Sequence, residues 1–101
     1  VFGEITQVVV DLRKGSPTYL NWQSYKINKA QQKLVLIPPG CGNAYYVSSE
    51  LAVYHYKLAY DGDYIDAAEQ FSVRWDDPSI AIDWPVTEPV LSGRDLKAPF
   101  V

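Results

Sequence analysis

Short runs of β-branched and aromatic residues, interrupted by Gly and Pro, recur along the chain without helical spacing. These runs predict strands at residues 1–13, 19–26, 33–37, 44–47, 51–59 and 71–75. Turns are predicted at residues 14–17, 38–40 and 61–63, because Gly permits positive φ and Pro fixes φ. Residues 64–69 fit either a loop or one helical turn, and a short helix is predicted to start at residues 92–95. The pattern is typical of an all-β protein.

Six short strands and almost no helix favour a double-sheet jelly roll over an open sheet, because an open sheet of this size would leave its edges unpaired. The 101 residues are enough for one domain, residues 1–101, and too few for two. The chain starts at Val1 inside a strand pattern. We therefore expect further residues to precede it in the natural protein and to complete the jelly roll.

Composition excludes several classes of protein. Hydrophobic residues make up 48% of the chain and aromatic residues 14%, which supplies enough apolar surface to exclude a disordered chain. The net charge of −3 gives no basic footprint for nucleic acid, and no apolar run reaches the length of a membrane span. Cys41 is the only cysteine, so an intrachain disulfide is excluded. The lone cysteine and the lack of a signal-peptide pattern favour a cytoplasmic protein.

Three segments bear on function: LAVYHYK at residues 51–57, FSVRWDDP at 71–78 and IDWP at 82–85. Together they resemble the dTDP-4-dehydrorhamnose 3,5-epimerase family, and most closely its relatives that act on 4-keto heptoses. The resemblance implies a cupin-like jelly roll, a homodimer, a nucleotide-sugar substrate linked to GDP or dTDP, and no cofactor. It covers the whole chain but only the C-terminal part of the family's domain.

The resemblance assigns catalytic roles to two side chains. Tyr56, on the predicted core strand, corresponds to the acid that reprotonates the sugar carbon; phenols are protonated near neutral pH, which suits a donor. Asp95, in the tail segment Ser-x-x-Asp, corresponds to the aspartate that orients the family's base histidine. That histidine would lie upstream of Val1. Judged without the resemblance, Tyr56 is better explained as a core aromatic and Asp95 as a helix cap.

His55 is the only histidine of the chain. Within a strand it faces away from Tyr54 and Tyr56, so we interpret it as a surface or interface residue and not as the base. One histidine also cannot build a His-rich metal site, and we predict that no metal is bound.

Six further residues are predicted to contact the substrate: Asn43, Lys57, Tyr60, Tyr64, Glu69 and Arg74. Asn43 stands where rhamnose-pathway members of the family carry a histidine, and this departure favours a heptose substrate. Tyr64, or alternatively Tyr60, is predicted to stack on the nucleotide base from a loop that is longer than the rhamnose-type version. Arg74 either grips the diphosphate through its guanidinium fork or lies on a solvated strand face.

The implied function is an epimerase that inverts C3, C5 or both centres of a 4-keto nucleotide-linked deoxyhexose or heptose, for the synthesis of surface polysaccharide. A base removes a proton beside the keto group, and Tyr56 returns one from the opposite face. Two alternatives stay open. One is an isomerase on the same scaffold, and the other is a non-catalytic, sugar-binding jelly roll.

Overall fold

The computed structural model describes residues 3–57 and 72–101. These residues contain three strands and one short helix: β1 at Ile5–Asp11, β2 at Trp22–Ile27, β3 at Cys41–Val47 and α1 at Gly93–Leu96. The strands form one antiparallel sheet in the order β2-β1-β3. The predicted all-β class is confirmed.

β1 lies at the centre of the sheet, and its side chains are covered on both faces. Ile5 and Val8 are 0% and 1% exposed, and both are β-branched residues that suit a strand paired on both sides. Ile5 is paired with Ile27 of β2 and with Val47 of β3. The sheet core is therefore built around the run of Ile and Val that the sequence places in β1.

Asp11 holds the connection from β1 to β2. Its carboxylate accepts hydrogen bonds from the guanidinium of Arg13 at 3.0 and 3.2 Å, from Ser16 Oγ at 2.7 Å and from Thr18 Oγ1 at 2.5 Å. The hydrogen bond from Arg13, reinforced by the two hydroxyls, holds the pKa of Asp11 well below its ordinary value. The predicted turn is confirmed, with Gly15 at φ +90°.

The end of the chain is tied to the turn that contains Asp77. This side chain is only 2% exposed, and its carboxylate accepts the backbone N–H groups of Ser79 at 2.8 Å and Val101 at 2.6 Å. The hydrogen bond from Val101 is the main cause that lowers the pKa of Asp77. The backbone N–H of Arg74 also donates to the carbonyl of Pro99 at 2.8 Å. These hydrogen bonds hold the last residues of the chain, 99–101, against residues 74–77.

Three of the predicted strands are wrong where the structure describes them. Residues 33–37, 51–57 and 72–75 belong to no strand, although Val53 forms one isolated bridge. Strand-like sequence becomes a strand only through ladder hydrogen bonds to a neighbour. The three described strands pair only with each other, so these segments have no ladder partner among the described residues. Leu34 and Leu36 accordingly are 102% and 91% exposed.

The helix start predicted at residues 92–95 is confirmed. Ser92 is the N-cap of α1, and its hydroxyl accepts the backbone N–H of Asp95 at 3.2 Å. Within residues 3–57 and 72–101, no helix combines the length and apolar character needed to cross a membrane. The turn predicted at residues 61–63 and the loop predicted at 64–69 lie outside the described residues.

Candidate functional site

Polar side chains gather on one face of the sheet, near the middle of β1. Alternate residues of a strand share a face, and so do residues paired directly across two strands. β1 places Gln7 and Val9 on this face, and the register pairs them with Tyr45 and Asn43 of β3. Gln7 is 3% exposed although its neighbours in the strand are mostly apolar. A buried amide in such surroundings requires hydrogen-bond partners.

The amide of Gln7 joins β3 to the segment that follows it. Its Nε2 donates to Oδ1 of Asn43 and to the hydroxyl oxygen of Tyr54, both at 2.9 Å. Nδ2 of Asn43 donates to the same hydroxyl oxygen at 3.4 Å. Gln7, Asn43 and Tyr54 thus form a closed group, which we call the amide–tyrosine cluster. It holds Tyr54 against the sheet although residues 51–57 form no strand.

Aromatic rings extend the amide–tyrosine cluster towards Tyr56. The ring of Tyr54 stacks on that of Tyr45 with centroids 4.7 Å apart, and the ring of Tyr56 lies 6.0 Å from that of Tyr54. Tyr56 is 63% exposed. The prediction that Tyr56 lies on a core strand is therefore wrong, because residues 51–57 form no strand and none of the three described strands covers its ring. The exposed phenol of Tyr56 is accessible to a ligand, and so is the exposed amide of Asn43.

Two predicted site residues, Asn43 and Tyr56, are thus brought together by a third residue, Tyr54. Lys57 follows Tyr56 in the chain and is exposed. His55 is exposed as well, which agrees with its interpretation as a surface residue.

The guanidinium of Arg74 is paired within its own turn. Nε donates to Oδ1 of Asp76 at 2.6 Å, and Nη2 donates to Oδ2 at 3.1 Å. This two-point pair raises the pKa of Arg74 and lowers that of Asp76. The guanidinium carbon also lies 4.9 Å from the ring centroid of Phe100, within the range of a cation–π contact. A diphosphate at Arg74 would have to share or displace Asp76.

Asp95 lies in the first turn of α1 and is exposed. Among the described residues, no hydrogen bond, ion pair or ring contact connects its carboxylate to Asn43 or Tyr56. The described part of the chain also brings together no group of three or more His, Cys, Asp or Glu side chains able to hold a metal. Three predicted contact residues lie outside the described residues: Tyr60, Tyr64 and Glu69.

A cavity of about 770 Å³ lies on the same sheet face, towards the end of β1. Its walls include Val9 and Asp11 of β1, Cys41 of β3, and Ile80. Val9 is also the direct cross-strand partner of Asn43. The volume falls within the range of about 300–1,000 Å³ that is usual for small-molecule sites. The cavity and the amide–tyrosine cluster share a sheet face, but Gln7, Asn43, Tyr54 and Tyr56 do not line the cavity.

Sequence reasoning did not single out Gln7 or Tyr54 as functional. A signal for Gln7 was present, since one amide interrupts a run of Ile and Val at a position where strand alternation would expect an apolar side chain. No local signal pointed to Tyr54, because its partner Gln7 lies 47 residues away along the chain.

Comparison with known proteins shows the family to which the chain belongs. The profile of the family described as dTDP-4-dehydrorhamnose 3,5-epimerase matches residues 1–101. The chain is 33% identical over 100 residues to the dTDP-4-dehydrorhamnose 3,5-epimerase of Salmonella typhimurium, covering 98% of this chain and 53% of that protein. It is 39% identical over 98 residues to the dTDP-4-dehydrorhamnose 3-epimerase of Streptomyces niveus, covering 97% and 46%.

A solved structure is similar over nearly all of this chain. It is the epimerase RmlC from Legionella pneumophila in complex with dTDP-4-keto-L-rhamnose, with a TM-score of 0.75 and 31% identity, covering 98% of this chain and 52% of that one. The similarity to solved structures over nearly all of the chain confirms the predicted cupin-like jelly roll. The chain belongs to the dTDP-4-dehydrorhamnose 3,5-epimerase family. It spans about half the length of the curated relatives it matches.

Proposed function

We propose that this protein epimerises a 4-keto nucleotide sugar and that Tyr56 is the proton donor. One observation carries the proposal: Tyr56 is 63% exposed, and its ring lies 6.0 Å from that of Tyr54, which is hydrogen-bonded to Asn43 on the sheet face. A phenol in this position is accessible to a sugar ring. A phenol enclosed in the apolar core would be unable to reach one.

The chemistry follows from the keto group. A carbonyl at C4 acidifies the C–H bonds at C3 and C5. A base on one face of the ring takes the proton, and the bonding electron pair moves towards the carbonyl oxygen to form an enolate. Tyr56 then gives its proton to the carbon from the other face, which inverts the centre. We propose that a histidine outside residues 1–101 is the base and that Asp95 orients it.

We propose a dTDP-linked 4-keto deoxy sugar as the substrate. The names of the matched relatives support dTDP, and the Legionella structure was solved with dTDP-4-keto-L-rhamnose. Among the relatives are both a 3,5-epimerase and a 3-epimerase, so inversion at one or at two centres fits the family. A heptose stays a prediction that rests on Asn43, which replaces a histidine of the rhamnose-pathway members. A GDP link stays a prediction that rests on the loop at residues 60–64, which is longer than the rhamnose-type version.

We expect the predicted contact residues to bind different parts of the substrate. Asn43 would bind an oxygen of the sugar. Lys57 and Arg74 would neutralise the charge of the diphosphate. Arg74 would have to give up its hydrogen bonds to Asp76 in order to bind the diphosphate. The remaining predicted contacts involve the nucleotide base and the sugar: Tyr60, Tyr64 and Glu69.

Hydrogen exchange with solvent tests the proposed reaction. The natural full-length protein is incubated in D₂O with a dTDP-linked 4-keto-6-deoxy sugar, and separately with a GDP-linked 4-keto sugar. NMR then follows deuterium at C3 and C5. Deuterium at both carbons supports 3,5-epimerisation, and deuterium at one carbon assigns a single centre. Binding of dTDP without any exchange would contradict the proposal and favour a sugar-binding protein without catalytic activity.

Tyr56→Phe tests the proton donor. General acid catalysis typically contributes about 10²–10⁴-fold, so we expect product formation to slow by that order while dTDP binds as before. Tyr46→Phe is the matched control. It also removes a phenol hydroxyl, but from the face of β3 that lies opposite to Asn43. Product formed by Tyr56→Phe at the wild-type rate and with the wild-type stereochemistry would remove Tyr56 from this role.

Three broader statements stay predictions: residues 1–101 as a single domain, a homodimer, and a cytoplasmic role in surface polysaccharide synthesis. The exposed side chains of Leu34 and Leu36 support the predicted homodimer, because solvent-exposed apolar side chains favour association. Sedimentation of the natural protein at micromolar concentration would test the homodimer.

A further inference from the structure

Gln7 differs from the other buried polar side chains in what it holds. Among the described residues, the buried polar or charged side chains are Gln7, Asp11 and Asp77. Asp11 accepts hydrogen bonds from its own turn, and Asp77 accepts them from a nearby backbone turn and from the chain end. Gln7 instead donates to two side chains that are 36 and 47 residues away. Gln7 therefore holds side chains of the proposed site in place, whereas Asp11 and Asp77 stabilise turns.

The hydrogen bonds of the amide–tyrosine cluster fix the direction of its remaining protons. Oδ1 of Asn43 accepts from Gln7, so the NH₂ group of Asn43 points to the side where Tyr54 lies. The hydroxyl oxygen of Tyr54 accepts N–H groups from both amides. A hydroxyl carries one proton and two lone pairs, so the proton of Tyr54 must point away from Gln7 and Asn43. The cluster thus presents an O–H donor and an N–H donor close together.

We propose that Tyr54 and Asn43 together bind the C4 oxygen of the sugar and stabilise the enolate, and that Gln7 positions both donors. This inference rests on the proposed function. When the base breaks the C–H bond, the electron pair forms a C=C bond and the carbonyl becomes C–O⁻. The Tyr54 O–H and Asn43 N–H donate to that oxygen. When Tyr56 returns a proton to carbon, the carbonyl re-forms and the two donors keep their own protons.

Preorganised donors at a developing oxyanion are effective because they need no reorientation during the reaction. Gln7 supplies this order: it is buried, it belongs to the central strand, and one nitrogen atom holds both donors at 2.9 Å. The stacking of Tyr54 on Tyr45 at 4.7 Å restrains the ring itself. The reacting oxygen would then lie on the same side as Tyr56, whose ring is 6.0 Å from that of Tyr54.

The test compares Tyr54→Phe, Gln7→Glu and Gln7→Met in the natural full-length protein. Loss of one oxyanion donor typically costs about 10²–10³-fold, so Tyr54→Phe should lower kcat and the rate of deuterium exchange by that order, with little change in KM. Gln7→Glu should lower kcat as well, because a carboxylate donates no N–H and would turn the Tyr54 proton inward. Gln7→Met removes the same donor without adding charge. Tyr46→Phe is the control, and melting temperature and dTDP binding check that each variant folds.

The outcomes separate this inference from the proposed function. Wild-type exchange together with slow Tyr54→Phe, Gln7→Glu and Gln7→Met supports the inference. A double variant of Tyr54→Phe and Gln7→Met that loses less than the two single losses combined shows that part of the effect of Gln7 passes through Tyr54. Wild-type exchange with unimpaired Tyr54→Phe overturns the inference alone. Unimpaired Gln7→Glu overturns the donor arrangement, since catalysis would then not require the Tyr54 proton to point away from residue 7. No exchange by the wild type overturns the proposed function and the inference with it.

Discussion

Gly42 allows a direct test of how closely β3 packs on β1. A Cβ atom at this position would lie 2.9 Å from Cγ1 of Val10 and 3.0 Å from Cδ1 of Leu12. Carbon atoms in good contact are about 3.5–4.0 Å apart. Val10 is paired directly with Gly42 and is only 6% exposed, so its side chain cannot swing into solvent. Gly42→Ala therefore forces either β3 to move or Val10 to leave its preferred rotamer.

Overpacking of this kind typically costs about 1–3 kcal/mol, and we expect Gly42→Ala to lower the free energy of unfolding by that amount. Urea unfolding of the natural full-length protein measures it. Gly93→Ala is the control, since a Cβ at Gly93 meets nothing within 4 Å. Alanine is also favoured over glycine in a helix by about 1 kcal/mol, so the stability of Gly93→Ala should stay the same or rise.

A double-mutant cycle with Val10→Ala identifies the cause. Val10→Ala removes Cγ1, the atom that the new Cβ of Gly42→Ala would meet first. If this collision is the cost, the double variant should be more stable than the sum of the single losses predicts, by about 0.5 kcal/mol or more. Strictly additive losses would refute the packing argument. A Gly42→Ala variant as stable as the wild type would refute it as well.

Two further predictions concern stability. The pKa of Asp11 lies below its unfolded value, so the ionised carboxylate stabilises the fold above about pH 4 and this contribution is lost as the pH falls further. Asp11→Asn should therefore be less stable than the wild type at pH 7, with a difference in urea unfolding that shrinks below about pH 4; a difference independent of pH would contradict the assignment. Ile27→Ala should cost about 2–5 kcal/mol in the same assay, because Ile27 is 2% exposed and paired with Ile5; a loss below about 1 kcal/mol would show that the sheet core closes over the cavity.

The sequence by itself determined the elements that depend on neighbouring residues. The run of Ile and Val in β1 was recognisable because β-branched side chains favour a strand regardless of distant contacts. The turn that contains Gly15 and the helix start at Ser92 followed from backbone conformation and capping, which are also local. Asn43 and Tyr56 became candidates only through the resemblance to a family, which carries information that local patterns lack.

Only the tertiary structure decided which strand-like segments pair and which side chains meet. Residues 33–37 and 51–57 have strand-like composition, but a ladder needs a partner strand, and pairing is set by distant parts of the chain. Tyr56, whose segment finds no ladder partner among the three described strands, is 63% exposed although its sequence predicts burial. The meeting of Gln7 with Tyr54 across 47 residues depends on the register of β1 and β3 and on the path of the chain after β3. No local pattern encodes that path, because it is fixed by packing and by the need to satisfy a buried amide.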